Sequence, residues 1–272
     1  MMVVFRKSIG LVIVGTHLFI GPGAFAIIGG FRGALKQFPA SVAFGVKTNK
    51  GIGTFCSGSK IDDFIYLTAR HCRIGDYRTV HIAHAEEVDS DSFDAFTVEK
   101  VNPHPSIDIA LVKIGESSPR VSQAYVSSSA LASNTLIVAA GFGIYRAELF
   151  RKAVDKKHDK INDVSIESPV RTYLKGVMMN VVIPDAKSPF VYFNDRKGGG
   201  DPAKAAFGDS GGGVFLARNV PREGPFTELV GVISLVTTAS NEYYTAQQSF
   251  FVRLDRVSDW LRDSLNQLRG SR

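Results

Sequence analysis

The apolar residues of the chain fall into many short runs separated by turn-forming residues. Most runs are rich in β-branched or aromatic residues, and few have the period of a helix. The main runs are SVAFGV, FIYLTA, DIALVKI, TLIVAAGFG, GVMMNVVI, SPFVYF, GGGVFLA and ELVGVISLV. Short strands at this spacing are typical of antiparallel sheets that close into barrels or pack as sandwiches. The pattern therefore predicts an all-β fold.

One segment near the carboxyl terminus has helical periodicity instead. Between Arg256 and Leu268 the apolar residues recur on one face of a helix, and we expect this face to pack on the body of the protein. The stripe consists of Val257, Trp260, Leu261, Leu265 and Leu268. A serine-rich stretch at 127–133 is a candidate crossover between two halves. We accordingly divide the chain into residues 27–125 and 126–272.

Residues 1–26 have the order of features found in a secretory signal peptide. Arg6 and Lys7 precede an apolar stretch of 12 residues, Ile9 to Ile20, and the segment closes with Ala24-Phe25-Ala26. This order predicts export and cleavage after Ala26. A membrane anchor would need roughly 20 apolar residues, and a buried core helix would not explain the flanking charges and small residues. We therefore predict a secreted or periplasmic protein without a stable membrane anchor.

Composition and charge exclude several classes of protein. The chain of 272 residues has a formal charge of +6, which falls to +4 once the leader is removed. That charge is mild and no basic stripe with interleaved aromatic residues is present, so no nucleic-acid partner is predicted. Two cysteines, Cys56 and Cys72, are too few for a disulfide-dense scaffold or a four-cysteine zinc site. Export would allow them to form one lasting disulfide.

Neither the acidic run nor the histidine pair predicts a metal site. The five carboxylates between Glu86 and Asp94 fail the EF-hand template, because Phe93 stands where a ligand is needed and no central glycine is present. His81 and His84 lie three residues apart in a β-like run, so their side chains tend to opposite faces. We expect both histidines to be structural and predict no metal and no cofactor.

The strongest chemical signal is the sequence GDSGGG at 208–213. Glycines on both sides of Ser210 permit a tight turn, expose the hydroxyl and leave backbone N–H groups free to face an oxyanion. A serine becomes a nucleophile only with a nearby base, usually an imidazole held by a carboxylate. All six histidines precede Ser210. The nucleophile elbow of α/β-hydrolases has its histidine last, so that fold is excluded and the order histidine, aspartate, serine remains.

Three segments in this order resemble the histidine, aspartate and serine segments of the trypsin and chymotrypsin family. They are Cys56-Ser57-Gly58 with LTARHC at 67–72, HPSIDIAL at 104–111, and GDSGG at 208–212. Ile27-Ile28-Gly29-Gly30 is also similar to the family's mature amino terminus, so the resemblance covers residues 27–268. It implies one protease domain of two antiparallel six-stranded β-barrels with a C-terminal α-helix. The implied function is that of a secreted serine endopeptidase.

The resemblance also implies a role for each matching residue. Ser210 would be the nucleophile, His71 the general base and then acid, and Asp108 the carboxylate that orients the imidazole. The backbone N–H groups of Gly208 and Ser210 would form the oxyanion hole. Such a protein would act on protein or peptide substrates, would be open to protein inhibitors, and is expected to be a monomer.

Two further pairs follow from the resemblance. Cys56 and Cys72 would form a disulfide beside His71. The free amine of Ile27 would form an activating ion pair with Asp209. Because the predicted signal cleavage falls directly before Ile27, export itself would create the activating terminus. The alternative is signal cleavage near Gly21 to Gly23, followed by removal of a very short propeptide.

The implied specificity pocket departs from the family's pattern. Lys204, six residues before Ser210, would lie at the base of the pocket, with Asp201 as the alternative occupant. A lysine there would repel Arg and Lys side chains, so we expect cleavage after acidic or small uncharged residues. Ser234, Leu235 and Val236 would pair with the substrate backbone, and Ser249 would contribute to the pocket wall.

Other departures concern positions outside the implied triad. Arg70 stands where the family commonly has a small residue, Phe142 where tryptophan is usual, and Gly213 where proline is usual. A non-catalytic binding protein on the same scaffold is the main alternative, since a fold does not fix a function. An esterase or lipase with the same triad logic is a further one, although the residue order weighs against its usual fold.

Overall fold

The structure is a computed structural model that describes residues 27, 30–48, 51–118, 120–143, 171–181, 183, 185–193, 205–206, 208–217, 224–238 and 246–270. Within these ranges the chain forms two bodies of mainly antiparallel strands and ends in an α-helix. The prediction of an all-β fold with a C-terminal helix is confirmed. The leader at 1–26 and Lys204 lie outside the described residues.

The amino-terminal half closes into a barrel. Its strands are β2 (Ser41–Thr48), β3 (Gly51–Lys60), β4 (Ile65–Thr68), β5 (Thr79–Ala83), β7 (Asp94–Pro103) and β8 (Ala110–Ile114), with the short strands β1 (Phe31–Arg32) and β6 (Glu87–Val88) outside the barrel. The six barrel strands follow the order β2, β3, β4, β8, β7, β5 and close on themselves. All residues of β4 and β8 are buried, and these two strands pair with Leu67 opposite Leu111.

The carboxyl-terminal half is built on an eight-stranded sheet. The strands of this half are β9 (Tyr125–Val126), β10 (Leu136–Gly141), β11 (Thr172–Tyr173), β12 (Lys175–Asn180), β13 (Phe190–Phe193), β14 (Gly213–Leu216), β15 (Glu228–Thr238) and β16 (Ala246–Arg253). The sheet contains all of these except β11, together with β1. The described path is β1, β12, β10, β14, β15, β16, β13, with β9 alongside β15. Strand β11 instead pairs with β6 of the other half. This arrangement is consistent with a chymotrypsin-like double barrel.

A common hydrophobic cluster joins the two halves. Leu67 and Leu111 of the barrel, Phe142 and Phe215 of the second sheet, and Leu261 of the helix all belong to it. Because close-packed interiors resist relative movement of their parts, this cluster fixes the strand ends of one half against those of the other. The candidate residues discussed below lie at the ends of these strands.

The helix α1 (Ser258–Gly270) starts and ends two residues later than the sequence pattern predicts. Leu254–Arg256 forms a 3-10 turn instead, and Arg256 donates to the carbonyl of Ala186 from that turn. The predicted apolar stripe packs as expected on the common cluster. Its members there are Val257, Trp260, Leu261, Leu265 and Leu268.

Candidate active site

Asp108 lies at the end of a tight turn that precedes β8. Nδ1 of His104 accepts hydrogen bonds from the N–H groups of Ser106 (3.2 Å) and Ile107 (3.0 Å), and the His104 N–H donates to the carbonyl of Ile109 (2.9 Å). Burial, and then the charge of Arg70, lower the pKa of His104. Both effects favour the neutral imidazole that this turn requires, because a protonated Nδ1 could not accept.

Two groups outside this turn support it. The ring of His104 rests against Trp260 of α1, with 5.1 Å between the ring centroids. Arg70 donates from one guanidinium nitrogen to the carbonyls of His104 (3.0 Å) and Pro105 (2.8 Å). Arg70 directly precedes His71, so it ties the segment of the histidine to the segment of the aspartate.

The carboxylate of Asp108 holds His71 at two points. Oδ1 accepts the backbone N–H of His71 at 2.8 Å, and Oδ2 lies 2.7 Å from Nδ1 of its ring. The hydroxyl of Ser234 donates to the same Oδ2 at 2.6 Å. Burial opposes ionisation of Asp108, but the bonds and charge of His71, with the Ser234 hydroxyl, outweigh it and lower its pKa. This geometry directs the other ring nitrogen, Nε2, away from the carboxylate.

A disulfide anchors the short turn that contains His71. Cys56 of β3 and Cys72 of the 3-10 turn Arg70–Cys72 are bonded, with 6.1 Å between their Cα atoms. The disulfide therefore connects a barrel strand to the residue next to the imidazole. Closing a loop of 16 residues contributes roughly 3 kcal/mol to stability in the chain-entropy picture.

Ser210 reaches the same place through a turn that requires glycine. Gly211 has a φ of +86°, and a Cβ added to it would lie 2.1 Å from Oγ1 of Thr68. The turn thus packs directly on the end of β4. The carbonyl of Ser210 accepts the N–H of Ser57 at 2.8 Å and lies 3.7 Å from Sγ of Cys72.

The segments of Ser210 and His71 meet at Cys72, the residue directly after His71. Both residues are described, and no hydrogen bond between their side chains occurs in the structure. The His71 side chain is 45% exposed, and Ser210 is partly exposed, so both groups reach the surface. Catalytic hydrogen bonds are often long before substrate binds and tighten in the complex.

Asp209 is fully buried, whereas its neighbour Ser210 is partly exposed. Its buried carboxylate accepts the N–H groups of Ala206 (2.7 Å), Gly143 (2.8 Å) and Ile27 (3.3 Å). Burial raises its pKa to about 6, although these three backbone bonds oppose the shift. A Cβ on Gly143 would come within 2.6 Å of the carboxylate oxygen, so only glycine leaves room for it.

Two backbone donors flank the Ser210 side chain. The N–H groups of Gly208 and Ser210 have no acceptor among the described residues. Both belong to the turn that presents the hydroxyl. Donors left unpaired beside a nucleophile are suited to stabilising a developing oxyanion.

The other predicted pocket residues are described unevenly. Leu235 and Val236 are described as backbone of β15, and their side chains lie outside the description, as does Lys204. Ser249 is buried, and its hydroxyl accepts the N–H of Ala205 at 3.0 Å, which holds the segment directly after Lys204. The bond from the Ser234 hydroxyl to Asp108 was not predicted from the sequence.

The described groups do not assemble a metal site. One cluster of potential ligands, Cys56, His71 and Cys72, has ligand atoms within 4.8 Å of one another, but the two sulfurs are bonded together and have no thiolate to offer. In the acidic run, Glu87 forms salt bridges with Arg32 and Arg171. The described part of the chain also contains no helix of the length and apolarity needed to cross a membrane.

Comparison with known proteins agrees with the architecture. A sequence model of the trypsin family, described as Trypsin, matches residues 27–261. This match covers most of the chain, and the chain therefore belongs to the trypsin family. Members of this family act on protein substrates. A search of curated proteins found no match.

Proposed function

We propose that the protein is a secreted serine endopeptidase in which Asp108, His71 and Ser210 form the catalytic triad. The observation that carries the proposal is the pair of hydrogen bonds between the Asp108 carboxylate and His71, one at the backbone N–H and one at Nδ1. It fixes the tautomer that carries a proton on Nδ1 and a lone pair on Nε2. An imidazole in that state is ready to accept the proton of a serine hydroxyl.

The chemistry proceeds through an acyl-enzyme intermediate. Oγ of Ser210 attacks the scissile carbonyl while Nε2 of His71 takes its proton, and Asp108 stabilises the resulting imidazolium. The carbonyl oxygen, now negative, accepts from the N–H groups of Gly208 and Ser210, and each such donor contributes about 3–4 kcal/mol to the transition state. His71 then protonates the leaving amine, and a water molecule releases the acyl group by the same steps in reverse.

Strand β15 is the element we assign to backbone pairing with the substrate. Its pairing with β16 is interrupted between Ile233 and Val236. The backbone of Ser234 and Leu235 is thus left out of the ladder, next to Asp108. An extended peptide that adds to such a gap gains main-chain hydrogen bonds.

Activation is assigned to Ile27 and Asp209. In the intact chain the nitrogen of Ile27 is a peptide N–H that already donates to Oδ2 of Asp209. Cleavage after Ala26 would turn it into an ammonium group at the same place. Export through the signal peptide would then complete the site without a separate propeptide.

Primary specificity is expected to disfavour cleavage after basic residues. Lys204 is the residue we assign to the base of the pocket, where its charge would oppose Arg and Lys side chains. Digestion of a peptide library should give cleavage after acidic or small uncharged residues, and a Lys204→Asp variant should move cleavage toward Arg and Lys. Dominant cleavage after Arg or Lys by the unaltered protein would contradict this assignment.

A binding protein on the same scaffold is the second candidate, since Ser210 and His71 are not hydrogen-bonded. A fluorophosphonate probe separates the two functions, because it reacts only with an activated serine. We expect stoichiometric labelling at Ser210 in protein that begins at Ile27, and no labelling of a folded Ser210→Ala control. If the unaltered protein does not react, or reacts at another serine, the proposed function is wrong.

A further inference from the structure

Ser57 lies in β3, next to the disulfide, and is 1% exposed. Its hydroxyl donates to the carbonyl of Gly208 at 2.6 Å and accepts the N–H of Phe142 at 2.9 Å. Its backbone N–H donates to the carbonyl of Ser210 at 2.8 Å. Ser57 therefore binds both residues whose N–H groups we assign to the oxyanion hole.

The position of Ser57 is itself fixed. Its carbonyl accepts the hydroxyl of Thr68 at 2.8 Å, and its neighbour Cys56 is held by the disulfide. The hydroxyl of Ser57 has one donated and one accepted bond, both to backbone groups of other segments. A buried hydroxyl satisfied in this way has a single preferred direction.

The carbonyl of Gly208 needs an external partner to define its direction. Gly208 has a φ of +92°, and glycine rotates between such conformations at little cost because it has no Cβ. Rotation about the bonds of Gly208 changes the angle between its carbonyl and its N–H group. A hydrogen bond that fixes the carbonyl thereby limits the directions open to the N–H.

We propose that Ser57 is a positioning residue for the oxyanion hole: its hydroxyl fixes the Gly208 carbonyl so that the N–H groups of Gly208 and Ser210 converge on one point. The proposal rests on the proposed function, since it assigns a task within that site. Ser57 does not touch the substrate. It acts through the backbone of Gly208, and its loss should weaken binding of the transition state more than binding of the substrate.

The decisive variant is Ser57→Ala, which removes the hydroxyl and leaves the backbone bond to Ser210. We expect kcat for a peptide substrate to fall roughly 10- to 100-fold. This decrease does not exceed the decrease in kcat caused by removing a whole oxyanion-hole donor. KM should change by less than about threefold, because uniform binding is not affected. The inhibition constant of a peptidyl aldehyde, whose hemiacetal oxygen enters the hole, should rise by the same factor as kcat/KM falls.

Ser59 provides a matched control two residues further along β3. It is equally buried at 1% exposed, and its hydroxyl has no hydrogen-bond partner in the described structure. Ser59→Ala should leave kcat and aldehyde binding unchanged, whatever its effect on stability. Equal losses of kcat in the two alanine variants would show a general packing effect and overturn the proposal.

A second pair of variants keeps the test independent of the alanine protein. Ser57→Thr retains a hydroxyl and Ser57→Val replaces it with a methyl group at nearly the same volume. We expect the threonine protein to have at least about ten times the kcat of the valine protein, in line with the loss expected for alanine. Equal kcat values for the pair, or an effect confined to KM, would overturn the role of the hydroxyl.

Failure of this proposal is distinguishable from failure of the proposed function. If unaltered protein is labelled by the fluorophosphonate probe but Ser57→Ala is labelled at the same rate and turns over substrate equally well, the positioning role alone is wrong. If unaltered protein is not labelled at all, the proposed function itself is wrong.

Discussion

Replacing Asp108 with asparagine is expected to lower kcat by about 10⁴-fold without unfolding the protein. The amide NH₂ group would replace one of two oxygens that now only accept, from His71 and from the Ser234 hydroxyl. With a donor facing it, Nδ1 of His71 would have to accept, and the ring proton would move to Nε2. In that tautomer His71 cannot take the proton of Ser210.

Steady-state kinetics on a peptide substrate would measure this loss, with circular dichroism as a check of folding. Ser234→Ala is the matched comparison, since it removes one bond to Asp108 but leaves both bonds to His71. A hydrogen bond to a charged group is worth roughly 1.5–3 kcal/mol, so the loss of kcat should stay below about 200-fold. An Asp108→Asn protein that retains a tenth of the original kcat would contradict the role of the carboxylate.

The intact chain and the chain that begins at Ile27 are expected to respond differently to pH. In the intact chain, burial raises the pKa of Asp209 from 3.8 to about 6. Since the folded pKa lies above the unfolded one, the folded state holds the extra proton. The stability contributed by the protonated Asp209 carboxyl group is fully present below pH 3.8 and is lost as pH rises through about 6. A shift of two pKa units corresponds to about 3 kcal/mol.

Cleavage after Ala26 should abolish this decrease in stability with rising pH. An ammonium group at Ile27 would pair with the Asp209 carboxylate and favour its ionised form. The pair instead raises the pKa of the amine above its ordinary ~7.7–8.0, and its contribution disappears only when pH rises through that raised value. Urea unfolding between about pH 4 and 9 would measure both profiles, with an intact Asp209→Asn chain as the non-titrating control.

Sequencing of the exported protein belongs to the same prediction. We expect Ile27 as the first residue. A different first residue would refute activation by export, and identical pH profiles for the intact and cleaved chains would refute the ion pair.

The sequence predicts the strands better than it predicts their contacts. Alternation and turn residues are local properties, so β4, β8 and β14 appear close to the predicted runs. The run DIALVKI reads as one strand, yet its first two residues belong to the turn shaped by His104. Periodicity could not reveal this, because the cause is a side-chain bond to the backbone and a contact with Trp260.

The contacts of the residues that support the site could not be predicted from the sequence either. Ser57 and Ser234 contact groups 151 and 126 residues away along the chain, and neither has a distinctive local pattern. Arg70 stands out as a departure from the family, but its bonds to the carbonyls of His104 and Pro105 follow from the packing of two loops. By contrast, the disulfide implied by the resemblance is present.

The contact of His104 with Trp260 has a consequence for biosynthesis. The turn that carries Asp108 is synthesised before the second half of the chain, but the indole that supports it belongs to helix α1, which is synthesised after all three residues of the proposed triad. A nascent polypeptide truncated before the final helix would contain every residue of the proposed triad and still lack the support for its carboxylate. Loss of helix α1 is therefore expected to weaken the proposed site even though it removes no member of the proposed triad.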